Sequence, residues 1–164
     1  GVGGDLSMPP SQLPVGKGEM LRSGKGAVIL AYGSMVQPAV SAAEELALDG
    51  IQATVVNARF VKPLDDELIG RLASEHELIV TVEEAYLAGG FGSAVMELLE
   101  EKALLEGTVV ERLGVPDEIV THGDPKELLA GYGLDAAGIA EKVRKGLAAA
   151  AGKGAANSRF RVVK

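Results

Sequence analysis

Apolar and polar positions fall along the chain in blocks whose period switches between that of a strand and that of a helix. Ala27 to Tyr32 (AVILAY) is an unbroken apolar run, the pattern of a strand buried on both faces, and Gly33-Ser34 ends it. From Met35 to Leu48 the apolar positions Val36, Val40, Ala43 and Ala47 return at helical spacing, with Ser41, Glu44 and Glu45 facing away. Asp49-Gly50 closes this helix, and Gly50 suits a left-handed cap. Ile51 to Asn57, Leu78 to Val82 and Val109 to Val115 read as three further strands, and Lys17 to Arg22 as a short edge strand. Asp65 is predicted to cap a helix from Asp66 to Ser74. Residues 83–92 read as a loop, followed by a helix to about Leu105 with Glu97, Glu100 and Glu101 on its wet side. Asp124-Pro125 opens another helix, with Asp124 as N-cap, Pro125 in the first helical position and Glu127 placed to reach back. The last helix runs from about Asp135 to Ala150, with Ile139, Val143 and Leu147 along one face and a Glu141–Lys145 pair on the surface. This alternation predicts an α/β fold, a mostly parallel sheet of about five strands with helices on both faces. In open sheets of that kind function gathers at the carboxyl ends of the strands. Here that edge carries Gly33-Ser34, Arg59-Phe60, residues 83–92 and residues 114–117.

The 164 residues suit one domain with its own core. A net charge of −7 opposes general attraction to nucleic acid or anionic lipid. No apolar run reaches the ~20 residues of a membrane span, and no basic-then-apolar leader is present. With no cysteine, disulfides and thiolate metal sites are excluded. A cytoplasmic location without nucleic-acid or membrane partners is the expectation. The chain opens on Gly1, so a chain that is processed, tagged or cut from something longer is expected. The division expected is a linker or extended segment over 1–16, an α/β domain over 17–150 and a flexible basic tail over 151–164, which carries Lys153, Arg159, Arg161 and Lys164.

Candidate chemistry is sparse. The run GGFGS, Gly89 to Ser93, stands before a helix and could cradle a phosphate on its amides. It is not GxGxxG, however, and no P-loop lysine follows, so a tight turn with close backbone packing is the plainer reading. Glu83 and Glu84 are neighbours at a strand end and point to opposite faces, which does not make a catalytic pair. His76 is expected on the surface at a helix end and His122 in a loop, and the two have no metal-ligand spacing. Arg59 and Lys62 bracket Phe60 and Val61. The apolar pair reads as a plug for the core, and Arg59 as a possible carboxylate or phosphate binder. No nucleophile elbow is present. The sequence therefore assigns no catalytic, cofactor-binding or metal-binding residue. It does place Phe60, Tyr86, Leu87 and Phe91 in connecting segments, where they are expected to form an exposed contact patch.

Four ordered motifs go further: LPVGKGEMLRSGKGAVILAYGSMV (13–36), VVNARFVKPLD (55–65), LIVTVEEAYLAGGFGSAVMELL (78–99) and LGVPDEIVTHGDPKELLAGYGLDAAGI (113–139). Together they resemble the C-terminal domain of the 1-deoxy-D-xylulose-5-phosphate synthases, a family within the transketolase superfamily of thiamine-diphosphate enzymes. RFVKPLD and VEE…GGFGS mark the superfamily, and LGVPDEIVTHGD with YGLD (132–135, where the family reads LGLD) favours the synthases. The closing GKGAANSRFRVVK lies outside the likeness. The resemblance implies a dimeric parent of three α/β domains. The first binds the diphosphate and Mg²⁺ of thiamine diphosphate, the second binds and activates the aminopyrimidine ring, and the third is of the present type. Such a parent condenses pyruvate with glyceraldehyde 3-phosphate, releases CO₂ and yields 1-deoxy-D-xylulose 5-phosphate for isoprenoid, thiamine and pyridoxal synthesis. The resemblance further implies that the family's substrate-binding arginine lies upstream of this chain. The GDG and asparagine motif that would hold diphosphate and metal is also missing, so the chain alone is expected to bind no cofactor and to be inactive. Its partners would be the other domains of the same polypeptide. Two other readings are a partner-docking C-terminal domain of a 2-oxo acid dehydrogenase beta subunit, and an independent small-ligand domain using the GGFGS turn.

Overall fold

In the computed structural model, which describes residues 12–159 and side chains as far as Ala151, the apolar runs form the middle of one sheet. Its strands are β1 (Glu19–Arg22), β2 (Ala27–Ala31), β3 (Ala53–Asn57), β4 (Leu78–Tyr86) and β5 (Val109–Val115), in the order β1-β3-β2-β4-β5. β1 runs antiparallel to β3 at one edge, and the other pairings are parallel. The helices are α1 (Val36–Leu48), after a 3₁₀ turn at Gly33–Met35, then α2 (Asp66–Glu75), α3 (Phe91–Glu101), α4 (Pro125–Gly131) and α5 (Ala136–Arg159).

Successive side chains of a strand point to opposite faces, and β2 supplies both cores from one run. Ala27, Ile29 and Ala31 pack with α1 and α5, through Ala39, Ala43, Leu46, Ile139 and Val143. Val28 and Leu30 pack with α2 and α3, through Ile69, Leu72, Phe91, Val95 and Leu99. This is the expected α/β architecture, with helices on both faces of a five-stranded, mostly parallel sheet.

Three helix ends share one closure. At the end of α1, Ile51 N–H donates to Leu46 and Gly50 N–H to Ala47, with Gly50 at φ +81. Leu134 and Gly133 repeat this on Leu129 and Ala130 after α4. After α3, Leu104 and Ala103 repeat it on Leu99 and Glu100, with Ala103 in the left-handed region at φ 55. That closure stops α3 at Glu101, short of the Leu105 expected from its pattern.

Other boundaries also differ from the reading. β4 continues past Val82, because Tyr86 pairs with Val115 and Leu87 N–H donates to the Val115 carbonyl. α1 turns a different stripe inward: Ala39, Ala42, Ala43 and Leu46 are buried, while Val36, Val40 and Ala47 are half-buried. Small alanines let the helix lie close against the sheet, and Glu45 faces α5, where it and Asp49 hold Arg144. The backbone of α5 continues to Arg159, into the stretch read as a tail. The side chains of Lys153 and Arg159, all of Arg161 and Lys164, and residues 1–11 lie outside the described residues.

Asp65 ties two elements together. Its carboxylate accepts from Leu68 N–H at 3.2 Å, capping α2, and from Gly18 N–H at 3.0 Å, holding the entry to β1. Asp65→Ala is expected to lower the urea midpoint by the equivalent of about 1–2 kcal/mol, the upper end for a lost N-cap. Asp65→Asn keeps one acceptor oxygen but turns an NH₂ group toward the other backbone donor, and should recover about half of that loss.

Candidate functional site

β4 carries Glu83 past the end of its apolar run onto the face that holds α3. The side chain is 1% exposed. Phe91 N–H donates to its Oε2 at 2.6 Å and Gly92 N–H to its Oε1 at 2.7 Å. Both carboxylate oxygens thus accept from the first turn of α3, where the helix dipole favours negative charge. Glycine is required for this approach. A Cβ on Gly90 would lie 2.2 Å from Glu83 Oε2 and 2.3 Å from the Tyr86 carbonyl, and one on Gly92 would lie 2.5 Å from Thr81 Oγ1. GGFGS is therefore a tight turn closed over the protein's own carboxylate, and the amides that a phosphate cradle would need are already taken.

Arg112 on β5, which sequence reasoning missed, braces the same turn. Its Nη1 donates to the Leu87 carbonyl and to Ser93 Oγ, both at 3.0 Å. Ser93 Oγ in turn donates to the Leu87 carbonyl at 2.7 Å and accepts from Gly89 N–H. Only the alternation of β5, which puts Arg112 on the side of Val110, could have hinted at this.

The other candidates are spread apart. Glu84 points away from Glu83, is exposed, and accepts a hydrogen bond from the Ser34 hydroxyl. Arg59, at φ 59, does bind a carboxylate, that of Glu19 at 2.5 Å. Lys62 is exposed, Val61 packs against the α2–α3 core and Phe60 is half-buried. His122 lies in an exposed loop. His76 is not the surface residue expected from its helix-end position. Its two ring nitrogens face the carbonyls of Leu72 and Gly24, each at 3.0 Å, and couple the end of α2 to the turn before β2. Among the described residues no group of three or more His, Cys, Asp or Glu side chains is arranged to hold a metal ion. No described helix is long and apolar enough to cross a membrane.

What the carboxyl rim does carry is apolar surface. Tyr86 is 51% exposed, Ile119 94% and Val120 36%, where β4 and β5 end. Leu13 and Val15 are exposed at the other end of the rim, beside Gly16, which packs against Pro63 after β3. The patch expected from the sequence needs correction. Tyr86 belongs to it, Leu87 and Phe60 are half-buried, and Phe91 is 1% exposed, stacked on Tyr32 with ring centroids 5.7 Å apart. Phe91 is the first residue of α3, and the Glu83 latch turns it inward. Between α1 and α4 the rim also holds a groove of ≈ 620 Å³ lined by Met35, Pro38, Leu129 and Leu134, with Glu84 and Lys126 among its polar groups.

The loop bearing Ile119 is anchored by Tyr132, whose hydroxyl donates to Glu118 Oε1 at 2.8 Å. That bond holds the phenol above its ordinary value, with burial and the nearby charges of Glu118 and Tyr86 adding to the effect. A raised pKa means that the contact is intact below the phenol's ordinary range and is lost as pH rises through the raised value. Glu118→Gln is expected to bring the Tyr132 ionisation down, as read by ultraviolet difference titration against a Tyr132→Phe reference.

Comparison with known proteins gives a consistent picture. The family profile described as Transketolase, C-terminal domain, matches residues 16–139. The 1-deoxy-D-xylulose-5-phosphate synthase of Synechococcus sp. (strain JA-2-3B'a(2-13)) is 59% identical over 132 residues, covering 80% of this chain and 20% of the relative. Synthase 1 of Geobacter metallireducens is 54% identical over 144 residues, covering 88% of this chain and 23% of the relative. Among solved structures, a split-gene transketolase described as an inactive beta4 tetramer superposes with a TM-score of 0.79 at 35% identity, covering 88% of this chain and 46% of that one. A transketolase mutant from Pichia stipitis, at 23% identity and a TM-score of 0.58, shares the fold. The chain spans about a fifth of the length of the curated relatives it matches.

Proposed function

The chain belongs to the family of transketolase C-terminal domains, and on that premise we propose that it is the third domain of a 1-deoxy-D-xylulose-5-phosphate synthase. In this reading it braces the cofactor-binding domains of the same polypeptide and extends the surface of a homodimer. It contributes no catalytic residue. The observation that carries the bracing role is the carboxyl rim, where Tyr86, Ile119 and Val120 stand exposed while the only glycine-rich helix start among the described residues is filled by Glu83.

The cofactor implied by the family is thiamine diphosphate with Mg²⁺, and the described residues do not fit it. They offer no metal-binding cluster and no free amide cradle at α3. No step of the reaction is therefore assigned to this chain, and the carbanion chemistry would be the cofactor's, held elsewhere. The solved neighbour described as an inactive beta4 tetramer of a split-gene transketolase agrees with a chain that does not act alone. The relatives named as synthases favour this parent over a 2-oxo acid dehydrogenase.

The test is an assay of the intact polypeptide that contains this chain, with pyruvate, glyceraldehyde 3-phosphate, thiamine diphosphate and Mg²⁺. Release of CO₂ with formation of 1-deoxy-D-xylulose 5-phosphate is the expected result. Turnover of a different donor and acceptor pair, with none of this product, would reject the reading.

A further inference from the structure

Ile119 is 94% exposed, the most exposed large apolar side chain among those described. The loop that carries it is tied at both ends. Glu118 N–H donates to the Pro116 carbonyl at 2.8 Å, Tyr132 fixes the Glu118 carboxylate, and Asp124 closes the far end of the loop by capping α4 through Lys126 N–H and Glu127 N–H. An isoleucine held out on a loop anchored at both ends is partly pre-organised for insertion, because less ordering remains to be done on contact. Val120 and Tyr86 widen the apolar surface beside it. Around them the exposed carboxylates are Glu84, Asp117, Glu118, Asp124 and Glu127, and Lys126 is the only lysine or arginine in that set of loop and helix residues.

We propose that Ile119 is a docking knob that inserts into an apolar pocket rimmed by lysine or arginine, and that this pocket lies on the preceding part of the same polypeptide. Charge decides the occupant. A second copy of this face would bring the same carboxylates against these, and nucleic acid or an anionic membrane would be repelled in the same way. A basic-rimmed surface is the complement. Position agrees. The family is that of C-terminal domains, and the chain covers 20–23% of the relatives' length, so about four fifths of such a polypeptide precedes it. A tethered partner meets the knob at high effective concentration, which suits a patch of this modest size. The inference rests on the bracing role proposed above and adds the residue and the chemistry of the contact.

The test compares hydrogen exchange of the isolated chain with that of the intact polypeptide, with β2 amides as internal reference. The amides of residues 118–121 are expected to exchange at least about ten-fold more slowly in the intact polypeptide. Ile119→Asp in that polypeptide should return them to the rate of the isolated chain, and Glu118→Lys should do so in part. Equal exchange of the loop in the two samples would overturn the proposal. So would slowing that appears in the isolated chain and grows with its concentration, since that would make a second copy the occupant. The exchange result is independent of which product the enzyme makes. Failure of the knob and failure of the synthase reading are therefore told apart by this measurement and the turnover assay.

Discussion

Replacing Glu83 with alanine is expected to lower the unfolding free energy of the chain by about 3–5 kcal/mol. The carboxylate is buried and accepts two short hydrogen bonds from the first turn of α3. Hydrogen bonds to a charged group contribute about 1.5–3 kcal/mol each, and a buried N–H left without a partner costs about 1–3 kcal/mol. Alanine removes the acceptor from both amides at once and leaves a space lined by Gly90, Gly92 and Thr81, whose own Oγ1 is buried without a partner. Water entering that space would recover part of the loss, which is why the estimate stays below the sum. Glu83→Gln keeps the shape and one acceptor oxygen but turns an NH₂ group toward a backbone donor, and should cost about half as much. Glu84→Ala is the control: that side chain is exposed, and its removal should stay within about 0.5 kcal/mol. Urea unfolding of the three variants provides the measurement, with a shifted midpoint at unchanged slope marking a change in stability alone. If Glu83→Ala unfolds within about 1 kcal/mol of the parent sequence, the carboxylate is not what closes the turn.

The same residues show how far the fold was legible. β2 could be read from its letters because a strand buried on both faces needs an unbroken apolar run, and AVILAY, ended by Gly33-Ser34, is too short for a buried helix. Asp65, Asp124 and Gly50 were readable as helix ends because their chemistry is local, acting within three residues along the chain. What stayed hidden depends on distant partners. The extension of β4 through Glu83 looks polar and loop-like; it is a strand because Tyr86 pairs with Val115, and its buried carboxylate is met by α3 amides from eight and nine residues away. Ala103 takes a left-handed conformation that favours glycine, so nothing in its identity marks the end of α3. Phe91 looked like a loop aromatic until the latch at its own amide fixed which way it faced. At the rim, Tyr86 could be picked out as an aromatic in a connecting segment. Ile119 and Val120 were passed over because two aliphatic residues among acids form no period of either kind.

Assayed alone with pyruvate, glyceraldehyde 3-phosphate, thiamine diphosphate and Mg²⁺, the chain is expected to form no product above the enzyme-free background. Titration of the cofactor into it should give no heat beyond dilution. Decarboxylating and transferring a two-carbon unit needs a stabilised carbanion, which side chains do not supply and the cofactor does. Rate enhancements of about 10⁶-fold or more are at stake in such chemistry, so the loss is of all measurable turnover. To hold a diphosphate and its metal, a domain needs free backbone donors or cations on one side and a set of oxygen ligands on the other. Here the amides at α3 are spent on Glu83, no ligand cluster is present among the described residues, and the net charge of −7 opposes a polyanion. A fold control is available from the same preparation, since a cooperative urea transition reports an intact domain while no reaction occurs. Turnover that co-elutes with the homogeneous chain and depends on added thiamine diphosphate would sink this expectation, and with it the assignment of the chain as a brace rather than a catalyst. The Glu83→Ala variant then becomes informative in a second way. It frees the α3 amides, and if cofactor binding rose in that variant, the buried carboxylate would be acting as an internal substitute for the anion.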